Sequence, residues 1–456
     1  MNFSARKMLK NVENYFKVKP LSYKKITIAY SNHVYAIELP DKRKFIYKES
    51  PIENIEAKTL NLNHFTDKKL NKEDIIEGNN LTNNNNLNQK IKICEDFWLK
   101  YKQNEINDIS LNKCKHKSNF KSINIPNVDT LVSLYLGFPK ILFYDENYRI
   151  EEYVEHDEVE WCEIENIARA AVSYHRQNIS FLEDYDSVLS NISGIDFKNT
   201  KFGFSISSEE KIIRTIFNKI KNIKFSEIMK QECAVELNTG KNLYFMDKVQ
   251  DYDSDETICK ICYPLFHHKT SIVHNDIHLK NMMKIGEDIR LIDYEYTSTG
   301  CFLMDIGNIF CEKMFDYTVD CIPKMERGYS ENDKKIFIFD YLKIMFNQDF
   351  KKNNENSFFI KKGESIFENL NFKDCIYFEN DIHINNFVSK VLKFIDKIQA
   401  YSHLFWYLWS RKLILQNKFP CEDFDYKIYS EYRLLFLFKK GMVSRDEIIL
   451  LSDELN

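Results

Sequence analysis

Glycine and proline are scarce in this 456-residue chain, which contains only 11 and 8 of them. Collagen-like, propeller and turn-dense β architectures need more of both, so this scarcity argues against those classes. No run of about 18 consecutive apolar residues occurs, and residues 1–20 lack the apolar core of a signal peptide. We therefore expect a cytoplasmic protein without a membrane span.

The chain also lacks a strong charge of either sign, because its formal net charge is −4 and its basic and acidic residues are interleaved. This balance gives no bulk attraction to nucleic acid or anionic lipid, so we expect no nucleic-acid partner. The 11 cysteines are scattered, as in a reduced intracellular protein. Cys259 and Cys262 form an isolated C-x-x-C pair without a second pair at zinc-finger distance, which favours ordinary thiols.

Aromatic residues, by contrast, are plentiful at 14% of the chain, and hydrophobic residues make up 44%. The length is sufficient for two domains. Short β-rich runs at Ile26–Ala29, Val34–Leu39 and Lys44–Tyr47 are separated by turn-prone residues, and a helical stretch, Glu53–Asn61, follows them. This order predicts a small antiparallel lobe at the start of the chain.

An Asn-rich stretch then interrupts the pattern over residues 66–128. It has the composition of a low-complexity insertion, with a candidate helix around Lys90–Tyr101. Order returns over Leu131–Tyr144, and a strand-like run at Arg149–Val154 leads into an acidic stretch.

From Trp161 onward, apolar residues recur at three- and four-residue spacing, which predicts helices. We place the boundary between two lobes near Val154. The expected organisation is an N-terminal ATP-binding lobe over residues 1–154 and a helical catalytic and substrate-binding lobe over residues 155–456.

The region from Ser271 to Thr318 carries the candidate catalytic residues. One apolar run ends in His274-Asn275-Asp276 with Asn281 five residues further on, and a second run, Ile289–Ile292, is followed by Asp293. Phosphoryl transfer from ATP needs one carboxylate near the acceptor hydroxyl, with a second carboxylate and an amide oxygen around Mg²⁺. Asn and Asp are ordinary turn formers after strands. As an ordered set, these three residues favour a kinase-like site that uses ATP and Mg²⁺.

Two downstream segments extend the pattern. Asp305 has the character of a helix N-cap whose carboxylate is also suited to brace the catalytic loop. On that helix, Glu312 and Asp316 are four residues apart and are expected to share a face. Trp406 and Trp409 have i, i+3 spacing, which taken alone favours a packed core helix.

These segments together resemble the signatures of the choline/ethanolamine kinase family. The matching residues are His274-Asn275-Asp276 with Asn281, Ile292–Tyr296, Asp305–Asn308, Cys311-Glu312 with Asp316-Tyr317, and Trp406–Trp409 with Tyr426. The resemblance covers about Ile26–Leu60 and Leu134–Lys439. It implies an α+β, two-lobe, protein-kinase-like fold with an N-terminal antiparallel β lobe, a mainly helical C-terminal lobe and ATP between them.

The resemblance also implies a role for each matched residue. Asp276 would act as base on the substrate hydroxyl, and Asn281 and Asp293 would hold Mg²⁺. Lys48 would contact the ATP phosphates, with Glu56 as its ion-pair partner. The other residues implied for the nucleotide side are Ser31, Asn32, Glu152, Tyr153, His278 and Asp293. The residues implied for the acceptor pocket are Asp276, Glu295, Tyr296, Glu312, Tyr317, Trp406, Trp409 and Tyr426.

Some residues depart from the family pattern. The phosphate loop, residues 28–32, lacks the usual glycines, and Lys280-Asn281 is closer to the ethanolamine-kinase form. Lys313 replaces an aromatic residue typical of choline kinases, whereas Cys311-Glu312 and Asp316-Tyr317 favour choline.

We predict phosphorylation of choline to phosphocholine, the first step of phosphatidylcholine synthesis. The alternatives are an ethanolamine kinase, a kinase for an aminoglycoside or another small alcohol, and an inactive nucleotide-binding homologue. The expected partner is a small amino alcohol. Since the family is often dimeric, a homodimer is a candidate assembly.

Overall fold

The computed structural model describes residues 3–26, 33–49, 127–145, 148–179, 181–198, 207–223, 271–345, 381–417 and 424–453. By its internal contacts the chain divides into two compact units, residues 1–154 and 155–456. Several sequence predictions lie outside the described residues: Ser31, Asn32, Glu56, the Cys259/Cys262 pair, the helices at Glu53–Asn61 and Lys90–Tyr101, and almost all of the Asn-rich insertion.

Unit 1 contains a five-stranded antiparallel sheet in the order β1-β2-β3-β5-β4. One helix precedes the sheet, and another enters between its third and fourth strands. The elements are α1 (Phe3–Phe16), β1 (Ser22–Ile26), β2 (His33–Glu38), β3 (Lys44–Glu49), α2 (Val128–Leu136), β4 (Ile141–Tyr144) and β5 (Tyr148–Glu152).

The sequence predicted β2 and β3 to within two residues, and both predictions are confirmed. The first predicted strand, Ile26–Ala29, meets β1 only at Ile26, and residues 27–29 lie outside the described part of the chain. The sequence did not predict Ser22–Lys25, because these four residues are exposed on an edge strand and carry no apolar alternation.

Helix α1 packs on the sheet through residues spaced four apart, Met8 and Val12, which lie in one core cluster with Tyr35 and Ile37 of β2. Met8 and Val12 have no exposed surface. The buried stripe on α1 and the inward-facing residues of β2 therefore form the core of unit 1.

Helix α2 begins directly after Asn127, whose side chain accepts a hydrogen bond from the Thr130 amide at 2.9 Å, and ends at Gly137 with φ of 70°. The left-handed backbone at Gly137 is the usual glycine C-cap. Asn127, the first described residue after the insertion, therefore already belongs to this helix cap, whereas the insertion was predicted to end at residue 128.

Unit 2 is mainly helical, as predicted from Trp161 onward, and carries two small antiparallel strand pairs, β6–β9 and β7–β8. Strand β9, the partner of β6, has no counterpart among the predictions. The elements are α3 (Ile164–His175), α4 (Tyr185–Ser193), α5 (Ser208–Lys221), β6 (Ser271–Val273), β7 (Met282–Ile285), β8 (Asp288–Leu291), β9 (Ser298–Gly300), α6 (Leu303–Glu312), α7 (Glu331–Met345), α8 (Asp381–Leu415), α9 (Tyr426–Lys439) and α10 (Arg445–Asp453).

Helix α6 corrects two sequence predictions. It begins at Leu303, so Asp305 lies inside its first turn and is not the N-cap. It ends at Glu312, so Asp316 lies beyond the helix and does not share its face. Gly307 lies against α8, where a Cβ would be in ordinary van der Waals contact with Gln399 at 3.5 Å.

In the described part of the chain, none of the helices combines the length and apolarity that crossing a membrane requires.

Truncating the α1 stripe tests this packing. Met8→Ala should lower the free energy of unfolding of unit 1 by about 2–5 kcal/mol, because it leaves a cavity under a fully buried side chain. Chemical denaturation with hydrogen-exchange readout of β2 measures the effect. Lys10→Ala, on the exposed side of the same helix, is the control and should change stability little. Equal effects of the two variants would contradict the packing.

Candidate active site

Two loops of the predicted site, one after β6 and one after β8, each contain a non-glycine residue with left-handed backbone. Asn275 has φ of 66°, and Asp293, after β8, has φ of 64°. Asn and Asp adopt this left-handed region more readily than other side chains, and such strained backbone concentrates at functional sites. The two turns carry the acids of the predicted site, one directly after Asn275 and the other at Asp293 itself.

Asp305 braces the loop, as predicted. One carboxylate oxygen accepts from the His274 amide and the other from the Asn275 amide, each at 2.7 Å. The carboxylate also lies 2.8 Å from His175 Nε2, and both side chains are fully buried. The His175 Nδ1 lies 2.6 Å from the Tyr341 hydroxyl, which fixes the imidazole from its other side. A buried carboxylate thus sets the backbone immediately before Asp276.

The Asp276 side chain lies between two polar partners and is 13% exposed. Asn281 Nδ2 donates to Asp276 Oδ2 at 2.8 Å, and His278 Nε2 lies 3.6 Å from Oδ1. Burial raises the pKa of Asp276, and the neighbouring His278 only partly offsets this. Burial opposes the charged form of His278, but the Asp276 carboxylate raises the pKa of His278 above its ordinary value. Asp276 is therefore a more basic carboxylate than usual.

Asn281 and Asp293 lie at the ends of the β7–β8 hairpin. The Ile292 amide donates to the Asn281 carbonyl at 3.0 Å, which brings the two segments into register beside each other. Asn281 Nδ2 donates its hydrogen bond to Asp276, so the amide oxygen Oδ1 is the Asn281 side-chain atom suited to bind a cation. An amide oxygen and one or two carboxylates, completed by phosphate oxygens, form the donor set that Mg²⁺ takes in nucleotide sites. These residues fit that metal.

The predicted pocket aromatics meet in one network. Ring centroids lie 5.6 Å apart for Tyr296 and Trp406, 5.5 Å for Trp406 and Trp409, and 5.6 Å for Trp409 and Tyr426. Tyr317 joins through rings that the sequence did not single out, Phe424 at 6.0 Å and Tyr429 at 6.3 Å. The spacing of Phe424, Tyr426 and Tyr429 at the start of α9 was the available signal. The His278 ring lies 6.3 Å from Tyr317, so the network reaches the catalytic loop.

The members of this network differ in exposure. Trp406 and Tyr426 are buried, whereas Tyr296, Tyr317 and Trp409 are partly exposed. Trp406 is therefore a core residue of its helix, as its spacing alone favoured, whereas Trp409 keeps some exposed surface. Burial is the main cause that raises the pKa of Tyr296, and the negative charge of Glu295 raises it further. Glu295 also accepts a hydrogen bond from the Tyr296 hydroxyl.

Asn308 connects the catalytic loop to the tryptophan helix. Its Nδ2 donates to the Ile277 carbonyl at 3.3 Å, while its Oδ1 accepts from Ser402 at 2.7 Å and from Trp406 Nε1 at 3.2 Å. The Asp305–Asn308 motif thus holds the loop at one end and Trp406 at the other.

Glu312 is 3% exposed, and both of its oxygens are occupied. Arg433 Nη2 donates to Oε1 and the Tyr317 hydroxyl donates to Oε2, each at 2.6 Å. Arg433, which lies 121 residues away on α9, was not among the residues predicted from the sequence. Lys313, the departure noted beside Glu312, donates to the Arg327 carbonyl at 2.6 Å.

In unit 1, Lys48 has an acid partner that the sequence analysis missed. Lys48 Nζ lies 2.6 Å from Asp129 Oδ2, and Arg149 Nη1 lies 2.9 Å from the same oxygen. Burial alone would raise the pKa of Asp129, but the two cations lower it below its usual range. The Asn127 cap that opens α2 was the only local signal for Asp129.

Two other residues predicted for the nucleotide side, Glu152 and Tyr153, lie at the end of β5 and just after it. Glu152 is exposed, and the Tyr153 ring centroid lies 5.3 Å from the Lys44 ammonium.

The five-stranded antiparallel sheet with a helix after its third strand, and the helical unit carrying the Asp276 loop, define a protein-kinase-like α+β fold. The fold class expected from the sequence is confirmed. The family model described as choline/ethanolamine kinase matches residues 120–438, well over half of the chain. The chain therefore belongs to the choline/ethanolamine kinase family.

Sequence identity to individual relatives is low. The chain is 29% identical to the choline/ethanolamine kinase of Rattus norvegicus over 181 residues, 38% of each protein. It is 28% identical to choline kinase alpha of Mus musculus over 171 residues, 35% of this chain and 31% of the relative. The aligned regions thus span only about a third of the length of these curated relatives. The crystal structure of choline kinase from Cryptosporidium parvum Iowa II is 17% identical with a TM-score of 0.41, covering 95% of this chain and 93% of that one.

The Asp305 brace can be tested by a nearly isosteric change. Asp305→Asn replaces one acceptor oxygen with an NH₂ group facing a backbone donor. It should lower the free energy of unfolding by about 1–3 kcal/mol, because a buried donor loses its partner. Urea denaturation measures the change. Asp396→Asn, at an exposed α8 carboxylate, should leave stability nearly unchanged. A similar loss of stability in the two variants would contradict the bracing role of Asp305.

Proposed function

We propose that this protein transfers the γ-phosphoryl group of ATP to the hydroxyl of choline, giving phosphocholine and ADP. The observation that carries the proposal is the position of Asp276, a partly exposed and unusually basic carboxylate. It is bound on one side to the amide of Asn281 and adjoins, through His278, the aromatic network at Tyr317. A hydroxyl acceptor with a cationic head group matches these two neighbours.

In the reaction, the choline hydroxyl oxygen forms a bond to the γ-phosphorus as the bond to the β–γ bridging oxygen breaks. The hydroxyl proton passes to Asp276, whose raised pKa suits it to this role. The loop backbone fixed by Asp305 holds the carboxylate in place, so positioning accounts for much of the rate.

On the nucleotide side, Lys48 is proposed to bind ATP phosphates. Asp129 and Arg149 support this role, because they fix the lysine inside a buried charge cluster. Asn281 and Asp293 would hold Mg²⁺, which when bound neutralises charge on the triphosphate. Further contacts proposed for the nucleotide come from His278, Glu152 and Tyr153, with Ser31, Asn32 and Glu56 outside the described residues.

On the acceptor side, the partly exposed rings of Tyr296, Tyr317 and Trp409 are proposed to receive the trimethylammonium group. Such a cation donates no hydrogen bonds, and each aromatic face contributes about 0.5–2 kcal/mol. The buried Trp406 and Tyr426 would support these rings from behind. Asp276, Glu295 and Glu312 would supply the negative charge of the pocket.

Choline is preferred over ethanolamine in this proposal because three rings of the aromatic network, Tyr296, Tyr317 and Trp409, are partly exposed. Ethanolamine is the second candidate, favoured by the Lys280-Asn281 sequence. We further propose a cytoplasmic enzyme that acts on a small molecule, has no nucleic-acid partner and assembles as a homodimer.

The proposal is tested by ADP release from Mg²⁺-ATP with choline, ethanolamine and an aminoglycoside as separate acceptors. Preference for choline is the expected result. Preference for ethanolamine would identify ethanolamine as the substrate of the same site. Preference for the aminoglycoside would exclude the aromatic network from acceptor binding. ATP binding without turnover of any acceptor would support an inactive homologue.

Asp276→Ala should lower kcat at least about 10²-fold, because the base is lost while the Asp305 brace remains. Steady-state kinetics with a circular dichroism check of folding measures this. Asp288→Ala, an exposed acid in the β8 hairpin, is the matched control and should turn over normally. Near-normal turnover of Asp276→Ala would rule out its role as base.

Trp409→Ala should raise the KM for choline between about twofold and thirtyfold, the range expected for one lost cation–π face, with a smaller effect on the KM for ATP. Trp161→Ala is the control, since Trp161 packs on Tyr329 away from the aromatic network. Equal changes in both KM values would exclude Trp409 from the choline site.

A further inference from the structure

Arg433 is a fully buried cation that contacts the aromatic network through Tyr429. Its guanidinium carbon lies 4.4 Å from the Phe315 ring centroid and 4.6 Å from that of Tyr429. Its Nη2 donates to Glu312 Oε1 and to the Tyr429 hydroxyl, both at 2.6 Å. The protein therefore places its own cation against aromatic faces next to the surface proposed to bind an ammonium group.

The carboxylate that balances Arg433 also holds a ring of the acceptor site. The Tyr317 hydroxyl donates to the second oxygen of Glu312, and the Tyr317 ring stacks on Phe315 at 5.5 Å with an interplanar angle of 12°. Arg433, Glu312 and Tyr317 thus form a continuous chain of contacts from the interior to the partly exposed ring.

This chain differs from an ordinary interhelical ion pair, for which Arg411 and Glu209 provide the comparison. Arg411 uses both Nε and Nη2 on the two oxygens of Glu209. Arg433 uses one nitrogen on one oxygen of Glu312, and among the described residues its Nε and Nη1 have no hydrogen-bond partner. Arg–carboxylate pairs are frequently bidentate. In this pair, the second oxygen of Glu312 accepts from the Tyr317 hydroxyl and not from Arg433.

The occupied carboxylate affects the two candidate substrates differently. A primary ammonium carries three N–H donors that need acceptors, whereas a trimethylammonium group has none. Because Glu312 is 3% exposed, is paired with Arg433 and already accepts one hydrogen bond on each oxygen, it is shielded from the direct hydrogen bonds that a primary ammonium needs. An aromatic face still attracts the quaternary cation.

We propose that Arg433 is a positioning residue that sets substrate specificity, selecting quaternary over primary ammonium alcohols by occupying Glu312 and so fixing Tyr317. The proposal rests on the proposed function. It adds a residue that acts on selectivity without touching the substrate.

The test compares Arg433→Met with wild type and with Arg411→Met, which removes the other interhelical Arg–Glu pair. One readout is the ratio of kcat/KM for choline to that for ethanolamine. The other is binding of tetramethylammonium and methylammonium, followed by tryptophan fluorescence. Freeing Glu312 in Arg433→Met should reduce both selectivity ratios by about tenfold. Arg411→Met should lower stability without changing either ratio.

Two further variants separate selectivity from folding. The double variant Glu312→Gln/Arg433→Met carries no unpaired buried charge at this position. Its two selectivity ratios should therefore return to within about threefold of wild type. Tyr317→Phe keeps the ring but frees one Glu312 oxygen, so it should shift the ratios in the same direction as Arg433→Met even if the latter does not fold.

Ratios unchanged in both Arg433→Met and Tyr317→Phe would overturn the proposal and leave Arg433 a structural residue. So would unchanged ratios in Tyr317→Phe if Arg433→Met does not fold. Failure of the proposed function is a separate result, because wild type would then turn over neither alcohol. The fluorescence titrations would still report whether Arg433 controls cation selectivity.

Discussion

The buried carboxylate of Asp305 is the constraint on which the rest of the site depends. Its two oxygens fix consecutive backbone amides, at His274 and Asn275, and its contact with His175 ties them to α3. Two consecutive amides bound by one side chain define the path of the chain, so Asp276 emerges at a set position. An acid in the first turn of a buried helix is otherwise costly, and these three contacts offset its desolvation.

The same helix organises the acceptor side. One turn after Asp305, Asn308 bonds both the loop carbonyl of Ile277 and the indole of Trp406. At the end of α6, Glu312 holds Tyr317. A single buried helix therefore holds the loop that carries the proposed base, the Tyr317 ring of the proposed cation site and the buried Trp406 that supports it. Positioning of this kind is what phosphoryl transfer asks of a protein.

Local features were predictable from the sequence, and long-range pairings were not. The spacing of Asp276 and Asn281 fits a short loop, and the alternating pattern of β2 and β3 has a two-residue period, so both can be read directly. The partner of Lys48 is 81 residues away at Asp129, beyond the Asn-rich insertion, and Arg433 is 121 residues from Glu312. Such pairs follow from packing, which spacing does not encode. For the same reason, the sequence suggested the aromatic cluster but not which rings are exposed.

The most direct test of the central claim is ³¹P NMR of a reaction containing the full chain, Mg²⁺-ATP and choline, run beside the Asp276→Asn variant. The account predicts that the γ-phosphate resonance of ATP is replaced by that of phosphocholine in the wild type, with little conversion in the variant. Formation of ADP and inorganic phosphate without phosphocholine, or equal conversion by the two proteins, would contradict it.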